Sequence, residues 1–183
     1  MNLYETFIVL KTLVEKEVIR ILRIWSQTII PPIITTSLYF LIFGQILFKD
    51  KVFIINGMTV PYSNYLIAGL VVMAIIDNSY QNASFSFIIS KFHRSIEEVM
   101  VAPVPVAVII LGFVIGSIVR GLINGLCIFI TAMIFNPISI YSVSMILTIA
   151  FFTAMFFALA GIMNAIFAKN FDENQEKFFH SIK

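Results

Sequence analysis

Few side chains in this chain could do chemistry, and those few are scattered. The two histidines, His93 and His180, lie far apart and have no cysteine or carboxylate companions at metal-ligand spacing. The single Cys127 sits inside an apolar run, so an intrachain disulfide is excluded. No G-x-x-x-x-G-K-[ST] run occurs, so the chain carries no phosphate-binding loop of its own. G-x-S-x-G and H-E-x-x-H are equally absent. No catalytic residue, metal site or cofactor is expected, and the chain does not read as an enzyme. Two groups of residues remain. One is a set of polar side chains inside apolar runs: Asp77, Gln81 and Arg120. The other is the charged segment Lys91–Pro105.

The rest of the chain explains the scarcity. Of 183 residues, 60% are apolar, and 12 basic with 10 acidic residues make up only 12%. A soluble domain carries about a quarter charged residues. The mean hydropathy of +0.98 excludes a soluble globular enzyme, a disordered chain and a disulfide scaffold. The net charge of +2 gives no footing for nucleic acid. The solvent that fits is a lipid bilayer.

Four apolar stretches, at about 28–48, 63–90, 106–135 and 142–168, each reach the ~20 residues needed to cross ~30 Å of hydrocarbon. Helix is the backbone that satisfies its own polar groups there. The expected architecture is therefore an all-α polytopic membrane protein of four transmembrane helices, preceded by an amphipathic helix. Lys and Arg set the orientation. Nine of them (Lys11, Lys16, Arg20, Arg23, Lys91, Arg94, Lys169, Lys177 and Lys183) fall on the side of the termini, against Lys49 and Lys51 on the other. Both termini should be cytoplasmic. The charges at Glu5, Lys11 and 15–17 and the lack of a small-residue cleavage site speak against a signal peptide.

Residues 1–25 read as an interfacial helix. Leu3, Phe7, Leu10, Val14, Val18, Ile21 and Trp25 recur at helical spacing, with Glu5, Lys16, Arg20 and Arg23 off that stripe. Packing of this stripe against the other helices is the alternative. Pro31 and Pro32 are expected to set the angle between this helix and the first span. Asn136-Pro137 marks an external turn.

Arg120 and Asp77 each fall near the middle of a span, where an unpaired Arg costs about 2.5–3.5 kcal/mol on insertion scales. Neighbouring antiparallel spans predict an ion pair between them. An Arg120 bonded to backbone carbonyls, or a polar transport path, are the other readings. Gln81 and Ser84 share a helix face with Asp77, while Asn78, Asn82 and Ser86 share the next. Such residues join helices more often than they line pores. Gly112/Gly116 and Gly121/Gly125 are two G-x-x-x-G spacings that permit close helix approach, within the subunit or across a dimer seam.

In the segment KFHRSIEEVMVAPVP, Ser95 and Glu98 form a capping box, and Glu97 and Glu98 suit the positive end of a helix dipole. Ile96, Val99 and Met100 make an apolar face, and Pro103 ends the helix. A mere connection needs no capped helix; a docking element for a soluble partner does.

These residues carry a resemblance. RIWSQTIIPPIITTSLYFLIFG (23–44), FHRSIEEVMVAPVP (92–105), Arg120-Gly121 and LAGIMNAIFAKNFDE (159–173) are similar to permease subunits of ABC-2 type ATP-driven exporters, in particular inner-membrane permeases of Gram-negative bacteria. The resemblance covers nearly all of residues 10–173. It implies a bacterial inner-membrane protein, a permease homodimer and a separate cytoplasmic ABC ATPase. It also implies that 94–103 is the coupling helix, with Arg94, Ser95, Glu97, Glu98, Val99 and Met100 as the ATPase-contacting residues. Such permeases have about six spans, whereas residues 26–173 supply four and 174–183 form a divergent cytoplasmic tail. A truncated, non-functional remnant is thus an alternative reading, and a secondary carrier or channel a further one.

Overall fold

The computed structural model describes residues 3–48, 52–55, 58–92, 104–135 and 142–168. Five α-helices occur among them: α1 (Leu3–Arg23), α2 (Trp25–Tyr39), α3 (Tyr62–Phe92), α4 (Val106–Phe135) and α5 (Val143–Phe167). A π-helical turn, Phe40–Leu47, continues α2. Three segments are long and apolar enough to cross a bilayer: Trp25–Gly44, Val106–Phe135 and Val143–Phe167. α3 has 31 residues, about 46 Å at the α-helical rise, but it carries many more polar side chains. The expected polytopic helical class is what the chain adopts. The fourth crossing, at 63–90, coincides with α3 in extent but not in apolar character.

α3 is the central post. Its buried side chains are small or polar: Ala74, Asn78, Ser79, Asn82, Ala83, Ser84 and Ser86. Small residues let backbones approach where lipid tails offer no hydrophobic contrast. On α5, Ala154, Ala158 and Ala165 are fully buried against it. A Cβ placed on Gly161 would stand 2.6 Å from the Tyr80 carbonyl oxygen, so only glycine fits that crossing. Ser84 donates to the Gly161 carbonyl at 3.0 Å, and the Asn164 amide donates to the Tyr80 hydroxyl. The larger core residues, Ile75, Ile109, Phe113, Val114, Ile118 and Ile162, fill the space between α3, α4 and α5. The outer face of α5, with Leu147, Phe152, Phe156 and Phe167, is exposed, as a lipid-facing helix requires. Ser142 caps α5, accepting from the Met145 N–H at 3.4 Å.

The two glycine pairs separate cleanly. A Cβ on Gly112 would meet the Leu13 side chain at 2.9 Å, and one on Gly116 would meet the Glu17 side chain at 2.6 Å. Cβ atoms on Gly121 and Gly125 would run into Ser79 and Ile75. One pair thus seats α1 and the other seats α3, both within this chain.

Two expectations are corrected. The joint between α1 and α2 is at Ile24, which leaves the helical region at φ −110°, ψ 27°, not at the prolines. Pro31 and Pro32 lie inside α2, seven and eight residues beyond that joint. Arg20, read as pointing away from the packed side, is turned into the bundle with Glu17, which is only 5% exposed. Gly116 is the physical reason: a helix without side-chain bulk at that point lets Glu17 come close.

Between the π-helical turn and α3 the described residues include a pair of short strands. Val52–Ile55 pairs antiparallel with Met58–Pro61, Val52 opposite Pro61. Phe48 and Phe53 pack on Tyr62, and Phe53 also meets Tyr65 edge-on at 5.6 Å. Such aromatic clusters favour the membrane–water boundary.

Candidate functional site: a polar node and the cleft beside it

Three helices meet at one amide. Asn82, on α3, is fully buried. Its Oδ1 accepts from Arg20 Nη2 of α1 at 2.9 Å and from Arg120 Nη1 of α4 at 3.0 Å. Its Nδ2 donates to Ser117 Oγ at 3.0 Å, and Ser117 in turn donates to the Phe113 carbonyl. Arg20 also pairs with Glu17 Oε2 at 2.8 Å, and Ser86 donates to that same oxygen at 2.8 Å. Both polar atoms of Asn82 are bonded, as a buried amide requires.

The charges in this node do not cancel. Arg20 and Arg120 contribute +2 and Glu17 contributes −1, leaving +1. Asn82 supplies a carbonyl dipole but no charge. The Nε atoms of both arginines are buried and have no hydrogen-bond partner among the described residues.

The expected ion pair between Asp77 and Arg120 is not formed; this is a correction. Arg120 bonds Asn82 instead, and Asp77 has no ion pair or hydrogen bond among the described residues. Helical register explains it. Asn82 lies five residues beyond Asp77, about 7.5 Å along α3 and well over a full turn. It is Asn82 that faces the seam with α4 where Arg120 enters.

Asp77, Gln81 and Arg120 are nevertheless brought together. All three line one open cleft of about 560 Å³. Its other wall is α2, through Thr28, Pro31, Pro32 and Thr35, and Ile128 of α4 also lines it. The polar residues of α3 therefore divide by role. Asn82, Ser84 and Ser86 join helices, whereas Asp77, Asn78 and Gln81 face the cleft. Asn78 also donates to the Ala74 carbonyl one turn back.

The coupling residues Arg94, Ser95, Glu97, Glu98, Val99 and Met100 lie outside the described residues, as do the turn at Asn136-Pro137 and the tail 174–183. Among the described residues no group of three or more His, Cys, Asp or Glu could hold a metal. Sequence reasoning missed Glu17, Asn82 and Ser117 as one node. The available signal was a charged i, i+3 pair, Glu17 and Arg20, inside an apolar-striped helix.

Residues 8–175 match the ABC-2 type transporter family. The chain belongs to this family. Similar curated proteins are the inner membrane transport permeases YadH of Escherichia coli K12, Escherichia coli O157:H7 and Shigella flexneri. Each is 40% identical over 173 residues, which is 94% of this chain and 66% of the relative. The chain thus spans just under two thirds of the length of these ABC-2 relatives. No solved structure matches it.

Proposed function

We propose that this chain is the membrane-embedded permease part of an ATP-driven exporter of the bacterial inner membrane, working as a homodimer with a separate cytoplasmic ABC ATPase. Membership of the ABC-2 type transporter family over residues 8–175 carries the reading. Both termini lie in the cytoplasm, as the distribution of Lys and Arg requires, and α1 packs into the bundle along the first half of α4. The four apolar stretches cross the bilayer, α3 among them.

The ATPase docks on 94–103, the segment whose sequence carries the Ser95/Glu98 capping pattern, with Arg94, Glu97, Val99 and Met100 as charged and apolar contacts. The polar node gives the docking a mechanical consequence. α1 is tied through Glu17 and Arg20 to Asn82, and Asn82 holds Arg120 at the cleft. A displacement of α1 by the ATPase is thereby passed to the centre of the bundle through rigid, hydrogen-bonded groups.

The test is co-purification of the ATPase from membranes. Glu98→Lys should lower the recovered ATPase while the amount of inserted permease is unchanged. Equal recovery with the wild type, with Glu98→Lys and with deletion of 95–102 refutes the docking.

A further inference from the structure

The cleft holds two opposite charges that the protein itself leaves unmatched. On one side is Arg120, whose only partner among the described residues is a neutral amide and whose Nε is buried and unpartnered. On the other is the Asp77 carboxylate, which has no partner among the described residues and lines the same space. Glu17 makes no ion pair with Arg120 among the described residues; it is bonded to Arg20 and Ser86. Both charges sit at the middle of their helices, away from the bulk water at either end.

The geometry points to a binding site for an amphiphile with a zwitterionic head that carries an ammonium and a phosphate. The ammonium meets Asp77 and the phosphate meets Arg120. The argument is by elimination on charge. An anion would satisfy Arg120 but stand against Asp77, and a cation would do the reverse. A neutral sugar would leave both charges unmatched in a medium of low dielectric. A zwitterion matches both and adds no net charge. Asp77 and Arg120 line the same open cleft of about 560 Å³, so one bound molecule there can meet both. The pyrrolidine rings of Pro31 and Pro32, with Leu70, Met73 and Ile128, supply apolar wall for the attached chains. A headgroup at this depth belongs to a molecule in passage rather than to the surrounding lipid, whose heads lie at the interface. The inference therefore rests on the permease reading and names its substrate class.

The experiment uses the full chain, purified in a maltoside detergent. Dihexanoyl phosphatidylethanolamine and dihexanoyl phosphatidylglycerol are the probes, and fluorescence of the single Trp25, two residues from the cleft residue Gln27, is the readout. The wild type should bind the ethanolamine lipid more tightly. Asp77→Asn should weaken that binding about tenfold, the loss of one charge-assisted contact, and remove the preference over the glycerol lipid. Asp77 makes no hydrogen bond or ion pair among the described residues, so this variant keeps their structure. Ala74→Phe, which fills the cleft, should abolish binding of both probes. Equal binding of the two lipids by the wild type, no binding of either, or a preference that survives in Asp77→Asn overturns the inference. The assay needs no ATPase. Absent binding with intact ATPase co-purification refutes this site alone, and lost co-purification refutes the permease reading alone.

Discussion

Asn82→Leu removes the centre of the polar node. The leucine keeps the approximate volume but removes the acceptor shared by Arg20 and Arg120 and the donor to Ser117. Neutral hydrogen bonds between membrane helices average only about 0.6 kcal/mol, so the Ser117 contact matters little. Hydrogen bonds to charged groups contribute about 1.5–3 kcal/mol each, so losing the two from Arg20 and Arg120 costs about 3–6 kcal/mol, although Arg20 keeps Glu17. That is a large share of the ~5–15 kcal/mol that holds a typical domain together. For a chain of this size it corresponds to a fall of roughly 6–24 °C in Tm. Asn82→Asp is the decisive companion. It keeps an acceptor for both arginines, loses only the weak donor, and brings the node from +1 to zero. Thermal unfolding in detergent, followed by size-exclusion chromatography, should rank Asn82→Asp at or above the wild type and Asn82→Leu far below. If the node does not exist, Asn82→Asp buries a lone carboxylate and becomes the worse of the two. That inverted order would refute the reasoning.

The glycines give a matched contrast. Gly161→Ala drives a Cβ to within 2.6 Å of the Tyr80 carbonyl oxygen and should destabilise by about 1–3 kcal/mol. Gly69→Ala has nothing within 4 Å of the new Cβ and should be neutral or gain up to about 1 kcal/mol of helix propensity in the same melt. Because Asp77 and Arg120 are not partners, the effects of Asp77→Leu and Arg120→Leu on folded yield should add. Recovery of yield in the double variant would restore the ion pair that the structure replaces with Asn82.

The lengths of the helices were legible in the sequence because hydrophobic runs must match a bilayer. The stretches 106–135 and 142–168 coincide with α4 and α5 almost to the residue. The cleft residues Asp77, Gln81 and Arg120 were legible for a related reason: charge and amide inside apolar runs have to be accommodated somewhere. Their partners were not. Composition shows that Arg120 needs an acceptor, but only helix rotation decides between Asp77 and Asn82, and those two are five residues apart on one helix. The same holds for α1. Its stripe of apolar residues announced an amphipathic helix, yet the close approach permitted by Gly116 turns Glu17 and Arg20 inward. Glycine spacing in one helix and a charge pair in another are separate signals until the structure superposes them. The paired strands Val52–Ile55 and Met58–Pro61 are only four residues each, too short for a legible alternation in the sequence.

The central claim is that α1 is seated in the bundle beside α4, so that a force applied at the cytoplasmic face reaches Asn82 and Arg120. Disulfide cross-linking tests it in native membranes. In a Cys127→Ser background, Leu13→Cys with Gly112→Cys places two thiols where a Cβ on residue 112 would already stand 2.9 Å from the Cβ of residue 13. Mild oxidation should close this bridge in most of the molecules, after the slight relaxation that brings the Cβ atoms to the ~3.8 Å a disulfide prefers. A control pair, Ile8→Cys with Gly112→Cys, should remain reduced, because residue 8 is exposed and more than one turn away from residue 13. Equal cross-linking of both pairs, or none of either, would contradict the claim and detach the cytoplasmic helix from the core of the protein.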